Sequence, residues 1–427
     1  MTEWSRIRTG MRGRIRTTVA AAVIGCIGCA ASNGAVAPVS SPVPASTRPS
    51  IHVAPPEIAT PPAMPSFQES EEASPAELDG ALDEGKSLRR EIEWVGSEES
   101  VASGEMAAGE YLVAYLITPA DDYYDLEAAQ SNLPAHHTTV APGSAHVAVV
   151  VRDAADGRVV QGLTVRAVLR SDDSDDERTA VLPFGWHPIL NRYGENLVLP
   201  PSPFTLRVYV TRPSYARHDS TNGDRFTRDV MAKFTHVVVS SDSLATMSER
   251  LARGESREAV NLSRAEGGAI DHPLAELLRS VGTSGSQERS GDYRVAVIVR
   301  HGRGAWKSRN GKLGYEAPDA NIGPVSHIDV IIRDAVTGRF IPGLKVRVTV
   351  LNARKREIDT YSLPFMWHPW LNHYGLNIPD PGKGRYTIRV HADAPALRRY
   401  GSTALRKFNK PVDASIRNIR FDTDEAR

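Results

Sequence analysis

"RDAVTGRFIPGLKVRVTV", residues 333 to 350, decides the fold. It matches "RDAADGRVVQGLTVRAVL", residues 152 to 169, at nine of eighteen positions. Both copies carry a turn, "DAVTGR" and "DAADGR", with Gly where a hairpin needs positive φ. Both then alternate apolar and polar residues, as "LKVRVTV" and "LTVRAVL", the period of a half-buried strand. The offset is 333 − 152 = 181 residues.

A second pair keeps this register. "LPFMWHPWLNHYGLN" (363–377) matches "LPFGWHPILNRYGEN" (182–196) at eleven of fifteen positions, again 181 apart. Equal offsets over separated blocks mean duplicated domains. The strands "AHVAVVVRD" and "SHIDVIIRD", "FTLRVYV" and "YTIRVHA" complete the pattern. Short strands, close turns and no recurrent helices predict an all-β fold of two tandem antiparallel sandwiches.

The repeats set the domain limits: a first sandwich over 108–240, a partly helical connector over 241–290, and a second sandwich over 291–424. Ahead of them, "ASNGAVAPVSSPVPASTRPSIHVAPPEIATPPAMPS" is rich in Pro, Ala and Ser and reads as an extended spacer. The acidic "FQESEEASPAELDGALDEGKSLRREIEW" suits a short surface helix, so residues 26–107 are expected to form a tether. "MTEWSRIRTGMRGRIRT" followed by "TTVAAAVIGC" has the basic and apolar regions of a secretory signal, residues 1–25. "VIGC" resembles a bacterial lipobox, which makes Cys26 the lipid-bearing first residue of the exported protein. Ordinary cleavage near "CAAS" is the alternative.

Charge is balanced, with 51 basic and 51 acidic residues, and gives no field that would favour nucleic acid. No apolar run reaches the roughly 18 residues of a membrane-spanning helix. No nucleophile elbow, zinc-protease helix or phosphate loop is present, so the chain is not expected to be an enzyme.

Chemistry concentrates in the second repeat. His327 and Asp329 lie two apart on a strand and share a face, while Ile328, Val330 and Ile332 take the core face. Met366 and His373 follow in the next conserved block. Two imidazoles, a carboxylate and a thioether suit copper better than magnesium or calcium, and iron(II) stays open. The first repeat has His146, Ala148, Gly185 and Arg192 at these places, with Arg192 a fixed cation where an ion would sit.

With these motifs the sequence resembles the periplasmic Fe2+-transport proteins. That family's pattern is His-x-acid on a strand, Met seven residues before His-Tyr-Gly, then a Gly-x-Tyr strand ending in Pro. His327 and Asp329 match the first element, Met366 and His373 the second, and "GRYTIRVHADAP" the third. The resemblance implies immunoglobulin-like sandwiches, dimers, a role in bacterial iron uptake, and a further histidine reaching the metal from the partner subunit. That histidine lies five residues beyond a Pro: "RPSYARHD" keeps it as His218 after Pro213, whereas "APALRRYG" has Tyr400 after Pro395.

The losses are complementary. The expectation is a fused pseudo-dimer within one chain, with one composite of His327, Asp329, Met366, His373 and His218 and another of His146, Arg192 and Tyr400. Its cargo would be a copper or iron ion, its neighbour an inner-membrane iron permease, and its membrane contact the lipid anchor alone. Two rivals are a structural or adhesive surface lipoprotein and a copper-dependent Fe(II) oxidase. Trp186-His187 and Trp367-His368 recur in both repeats, which favours packing, with a second metal site as the lesser reading. His136 and His137 read as exposed loop residues, or as accessory metal ligands.

Overall fold

The computed structural model describes residues 69–421, apart from residues 121, 126–135, 139–142, 252–256, 281–282, 311, 319–322 and 401–406. Cys26, the signal segment and the Pro-rich stretch lie outside the described residues.

The chain is mostly β, as two antiparallel sandwiches. In the first repeat one sheet runs Ala102–Ala108, Tyr111–Pro119, Ser144–Asp153, Arg192–Val198, Phe184–Trp186. The facing sheet runs Val230–Val237, Phe204–Thr211, Thr164–Ser171, Glu177–Leu182. The second repeat follows the same plan. One sheet holds Ser284–Ser290, Tyr293–His301, Val325–Asp334, His373–Pro379 and Phe365–Trp367. The other holds Glu357–Leu363, Val346–Leu351, Tyr386–Ala392 and Val412–Ile419. Alternation fills each core: Val147, Val149, Val165, Leu206 and Val208 in one, Val330, Ile332, Val348, Ile388 and Val390 in the other. The hairpin glycines take positive φ as expected, 80° at Gly157 and 81° at Gly338.

The sandwiches exchange strands. Arg398–Tyr400, from the second repeat, lies parallel to Phe184–Trp186 of the first. Ala216–Arg217, from the first, lies parallel to Phe365–Trp367 of the second. A hairpin extends each graft: Tyr123–Asp125 with His136–Thr138 on one side, Ala305–Arg309 with Lys312–Glu316 on the other. The backbone of His136 and His137 is therefore strand rather than loop.

The conserved Trp-His-Pro loops lock the exchange. Trp186 packs in the second repeat's core, 5.6 Å from the ring of Phe408, and Trp367 packs in the first repeat's core, 6.3 Å from Phe226. The hairpin arginines answer them. Arg158 donates to the carbonyls of His368 and Pro369, at 3.0 and 2.8 Å. Arg339 donates to those of His187, Pro188 and Ile189, at 2.7, 3.2 and 3.0 Å. Such isologous contacts are what a two-fold dimer interface has.

The tether reading ends earlier than residue 107. Ser74, Pro75 and Glu77 form a capping box at the start of helix α1 (Pro75–Glu98). Leu78, Ala81, Leu88, Ile92 and Val95 repeat at helical spacing and are buried, so α1 is part of the folded body. Ala102–Ala108 then pairs with Tyr111–Pro119 and opens the first sandwich, and Ser284–Ser290 likewise opens the second before residue 291.

Three helices, α2 (Ser241–Leu251), α3 (Arg257–Gly268) and α4 (Asp271–Leu277), fill the connector. Helices do recur after all. A Cβ at Gly85 of α1 would stand 1.9 Å from the Asp156 carbonyl, and one at Gly267 of α3 2.2 Å from that of Thr337. Each repeat thus seats a Glu-Gly helix on its own hairpin turn.

Candidate metal centre

The site is built on strand Val325–Asp334. In its ladder with His373–Pro379, His327 stands opposite Asn377 and Asp329 opposite Gly375. Directly opposed residues share a face, so Asn377 reaches the His327 ring and its Oδ1 lies 2.8 Å from Nδ1. The Asn377 amide is itself oriented: its Nδ2 donates to the Arg303 carbonyl and its Oδ1 accepts the Arg303 N–H. Oδ1 is therefore the acceptor and Nδ1 of His327 carries a proton, which leaves Nε2 as the ring's ligand atom.

His373 is set the same way. Its Nδ1 lies 2.8 Å from the Leu371 carbonyl and must donate, which leaves Nε2 as a lone pair. Asp329 faces both rings. Its Oδ1 is 3.0 Å from His327 Nε2 and 3.2 Å from His373 Nε2, and the two Nε2 atoms are 3.4 Å apart. One carboxylate oxygen and two imidazole nitrogens thus converge. Asp329 Oδ2 is held at 2.5 Å by Arg300, the residue opposite His327 on the adjoining strand.

All these groups are buried. Burial alone would raise the Asp329 pKa, but Arg300, then His373 and His327, hold the carboxyl well below its ordinary range. Burial holds the His373 imidazole down at about 3, so the ring is neutral. The geometry is one that can hold a cation. Edges of 3.0–3.4 Å are those of a coordination polyhedron with bonds of about 2.1 Å and angles between about 90° and the tetrahedral value.

His218 arrives on the exchanged strand. Its backbone N–H donates to the Trp367 carbonyl, and its ring lies 4.8 Å from His327 and 5.1 Å from His373. His218, His327 and His373 each offer a nitrogen within 4.8 Å of the other two. Met366 is buried opposite His373 in one ladder and beside Ala216 of the exchanged strand in the other. Four of the five residues singled out in the sequence, His218, His327, Asp329 and His373, thus meet at one place on both sides of the repeat interface, with Met366 paired to His373 in the ladder. Gly375 makes room for them, because a Cβ there would stand 2.7 Å from His327 Nε2.

The corresponding place in the first repeat is filled from within. The ring of Tyr400 is 4.8 Å from His146, and the Arg192 guanidinium lies 5.5 Å over that ring. Gly185 is required there, since a Cβ would stand 2.3 Å from Tyr400 Cε2. Burial, then Arg192, lowers the His146 pKa to about 3.

The family described as Fe2+ transport protein matches residues 334–421. The resemblance read from the motifs is borne out over that stretch. Among solved structures, FetP from uropathogenic Escherichia coli strain F11 aligns at 20% identity over 32% of this chain and 93% of its own, with a TM-score of 0.26. A copper-bound variant of the same FetP aligns at 18% identity over 32% and 95%, with a TM-score of 0.25. No curated protein matches the chain.

Two contributors escaped the sequence reading. Arg300, near the end of Tyr293–His301, was not singled out in the sequence. Glu72 lies in an acidic run that looked like a solvated tether, yet its Oε2 is 3.4 Å from His218 Nδ1 and 3.7 Å from His368 Nε2. Burial opposes its ionisation, but His218 and Arg303 bring the Glu72 pKa down to about 2. His187 and His368 organise their own loops: each Nδ1 accepts from backbone N–H groups two and three residues on. The side chains of His136 and His137 lie outside the described residues.

Proposed function

We propose that this chain is a bacterial cell-envelope lipoprotein that binds one copper or iron ion between its sandwiches and supports iron acquisition. His327, His373 and His218 would hold the ion through nitrogen, Asp329 through oxygen and Met366 through sulfur. The donor set is that of a borderline-to-soft ion. Convergence of Asp329 Oδ1 with the Nε2 atoms of His327 and His373 in a buried site carries this reading. Lipid on Cys26 would keep the exported protein at a membrane, in the periplasm or at the surface, within reach of an inner-membrane iron permease. Its role is that of a carrier, not an enzyme.

The full exported chain is expected to take up close to one Cu(II) or Fe(II). Met366→Ala and His373→Ala should weaken uptake strongly, whereas Arg192→Gln should leave it intact. Absence of metal affinity, or affinity indifferent to Met366 and His373, would overturn the proposal in favour of a purely structural lipoprotein. Catalytic turnover of Fe(II) by the copper-loaded chain would instead favour an oxidase.

A further inference from the structure

Each of the three histidines needs its Nδ1 proton held if its Nε2 is to stay free. Asn377 does this for His327 and the Leu371 carbonyl does it for His373. For His218 the acceptor at hand is Glu72, whose Oε2 makes an ion-pair contact with Nδ1 at 3.4 Å, and neither buried nitrogen of the His218 ring makes a hydrogen bond. Glu72 belongs to neither sandwich. It is carried by an arm, residues 69–73, that enters just ahead of α1.

The arm is fastened to the loop that follows His218. Ser70 Oγ donates to Asp219 Oδ2, Ser220 Oγ donates to Glu71, and Asn222 Nδ2 donates to the Glu69 carbonyl at 2.7 Å. Glu72 is gripped from two further sides, by the Asp219 backbone N–H at Oε1 and by an ion pair with Arg303 at Oε2. The side chain is 10% exposed. An acidic residue in a spacer has no reason to be so enclosed.

We propose that Glu72 is a positioning residue of the metal centre: the arm delivers a carboxylate that fixes the tautomer of His218, so docking of the arm and loading of the ion are coupled. The inference rests on the function proposed above. Acceptors behind a ligating imidazole raise its basicity and fix its orientation, and their loss commonly costs about 10- to 100-fold in metal affinity. Coupling is reciprocal: whatever the docked arm adds to metal affinity, the metal returns to docking of the arm.

The test uses the full exported chain, with Cu(II) as the probe. Glu72→Ala should weaken Cu(II) binding by about 10- to 100-fold and alter the Cu(II) electron paramagnetic resonance spectrum, with its melting curve reporting that it still folds. Glu72→Gln, which keeps an acceptor oxygen, should recover part of the affinity and the native spectrum. Copper loading should also slow hydrogen exchange at the amides of Glu72 and Ala73, both of which donate to Ser70 Oγ, in the native chain and not in Glu72→Ala. Native affinity and spectrum in Glu72→Ala, with exchange in the arm unmoved by copper, would overturn this inference alone. A native chain that binds no metal would overturn the proposed function and this inference together.

Discussion

The imidazole of His218, which belongs to the first repeat, stands 4.8 Å from that of His327 in the second, and their planes cross at 88°. The two residues are 109 positions apart and reach each other through the strand that the first repeat lends to its neighbour. Neither repeat can assemble the cluster alone.

Gly375 is the tightest test of that cluster. A methyl group there would meet His327 Nε2 and His373 Cδ2, both at 2.7 Å. Gly375→Ala should therefore displace an imidazole and weaken Cu(II) binding by at least about tenfold, in the range seen when ligand positioning is lost. Gly194→Ala, its counterpart against His146, should lower stability but leave Cu(II) affinity unchanged. Calorimetric titration of both variants checks the contrast.

Exchange of the tryptophans predicts one cooperative melt. Trp186→Ala and Trp367→Ala each open a cavity in the opposite repeat, and each should cost about 3–5 kcal/mol. Denaturant unfolding followed by near-ultraviolet circular dichroism should show a single transition shifted in both variants. Separation into two transitions would mean that the repeats fold independently.

Arg339 satisfies three buried carbonyls of the Trp-His-Pro loop across the interface. Arg339→Ala should destabilise the chain by at least about 1.5–3 kcal/mol, the scale of hydrogen bonds to a charged group. Arg158→Ala should behave alike by pseudo-symmetry. A loss under about 0.5 kcal/mol in either would place the interface energy elsewhere.

Helices α1 and α3 bring two acids together out of water. Glu91 and Glu266 are buried, and burial, then Glu266, raises the Glu91 pKa well above the ordinary range. Burial raises Glu266 as well, against the pull of Arg339. Their protons stay on in the folded chain at pH values where the unfolded chain has released them. Stability from this pair is therefore lost as pH rises from about 4.5 toward the raised values. Glu91→Gln should gain melting temperature relative to the native chain as pH goes from 5 to 8. Parallel curves for the two proteins would refute it.

The two sandwiches were legible because alternation and turn glycines survive in both copies. The cluster was legible because His327, Asp329, Met366 and His373 lie on neighbouring strands. What stayed hidden depends on distant parts of the chain. Glu72 lies 146 positions before His218, inside a run of acids that resembles any solvated spacer. Arg300 differs from exposed arginines only through its partner Asp329. The matching helices share little more than Glu84-Gly85 and Glu266-Gly267, two letters that no periodicity would flag, although their packing on the hairpin turns is alike. Strand exchange showed only in the complementary losses at His218 and Tyr400, because Ala216–Arg217 and Arg398–Tyr400 are too short to carry a period.

That exchange removes a variable that two separate subunits would face. A site shared between free protomers disappears on dilution, once their concentration falls below the dissociation constant of the pair. Here the peptide bond keeps the second contributor at a fixed, high local concentration. Titrations at any chain concentration should then report the ion's own affinity, with no assembly step mixed in.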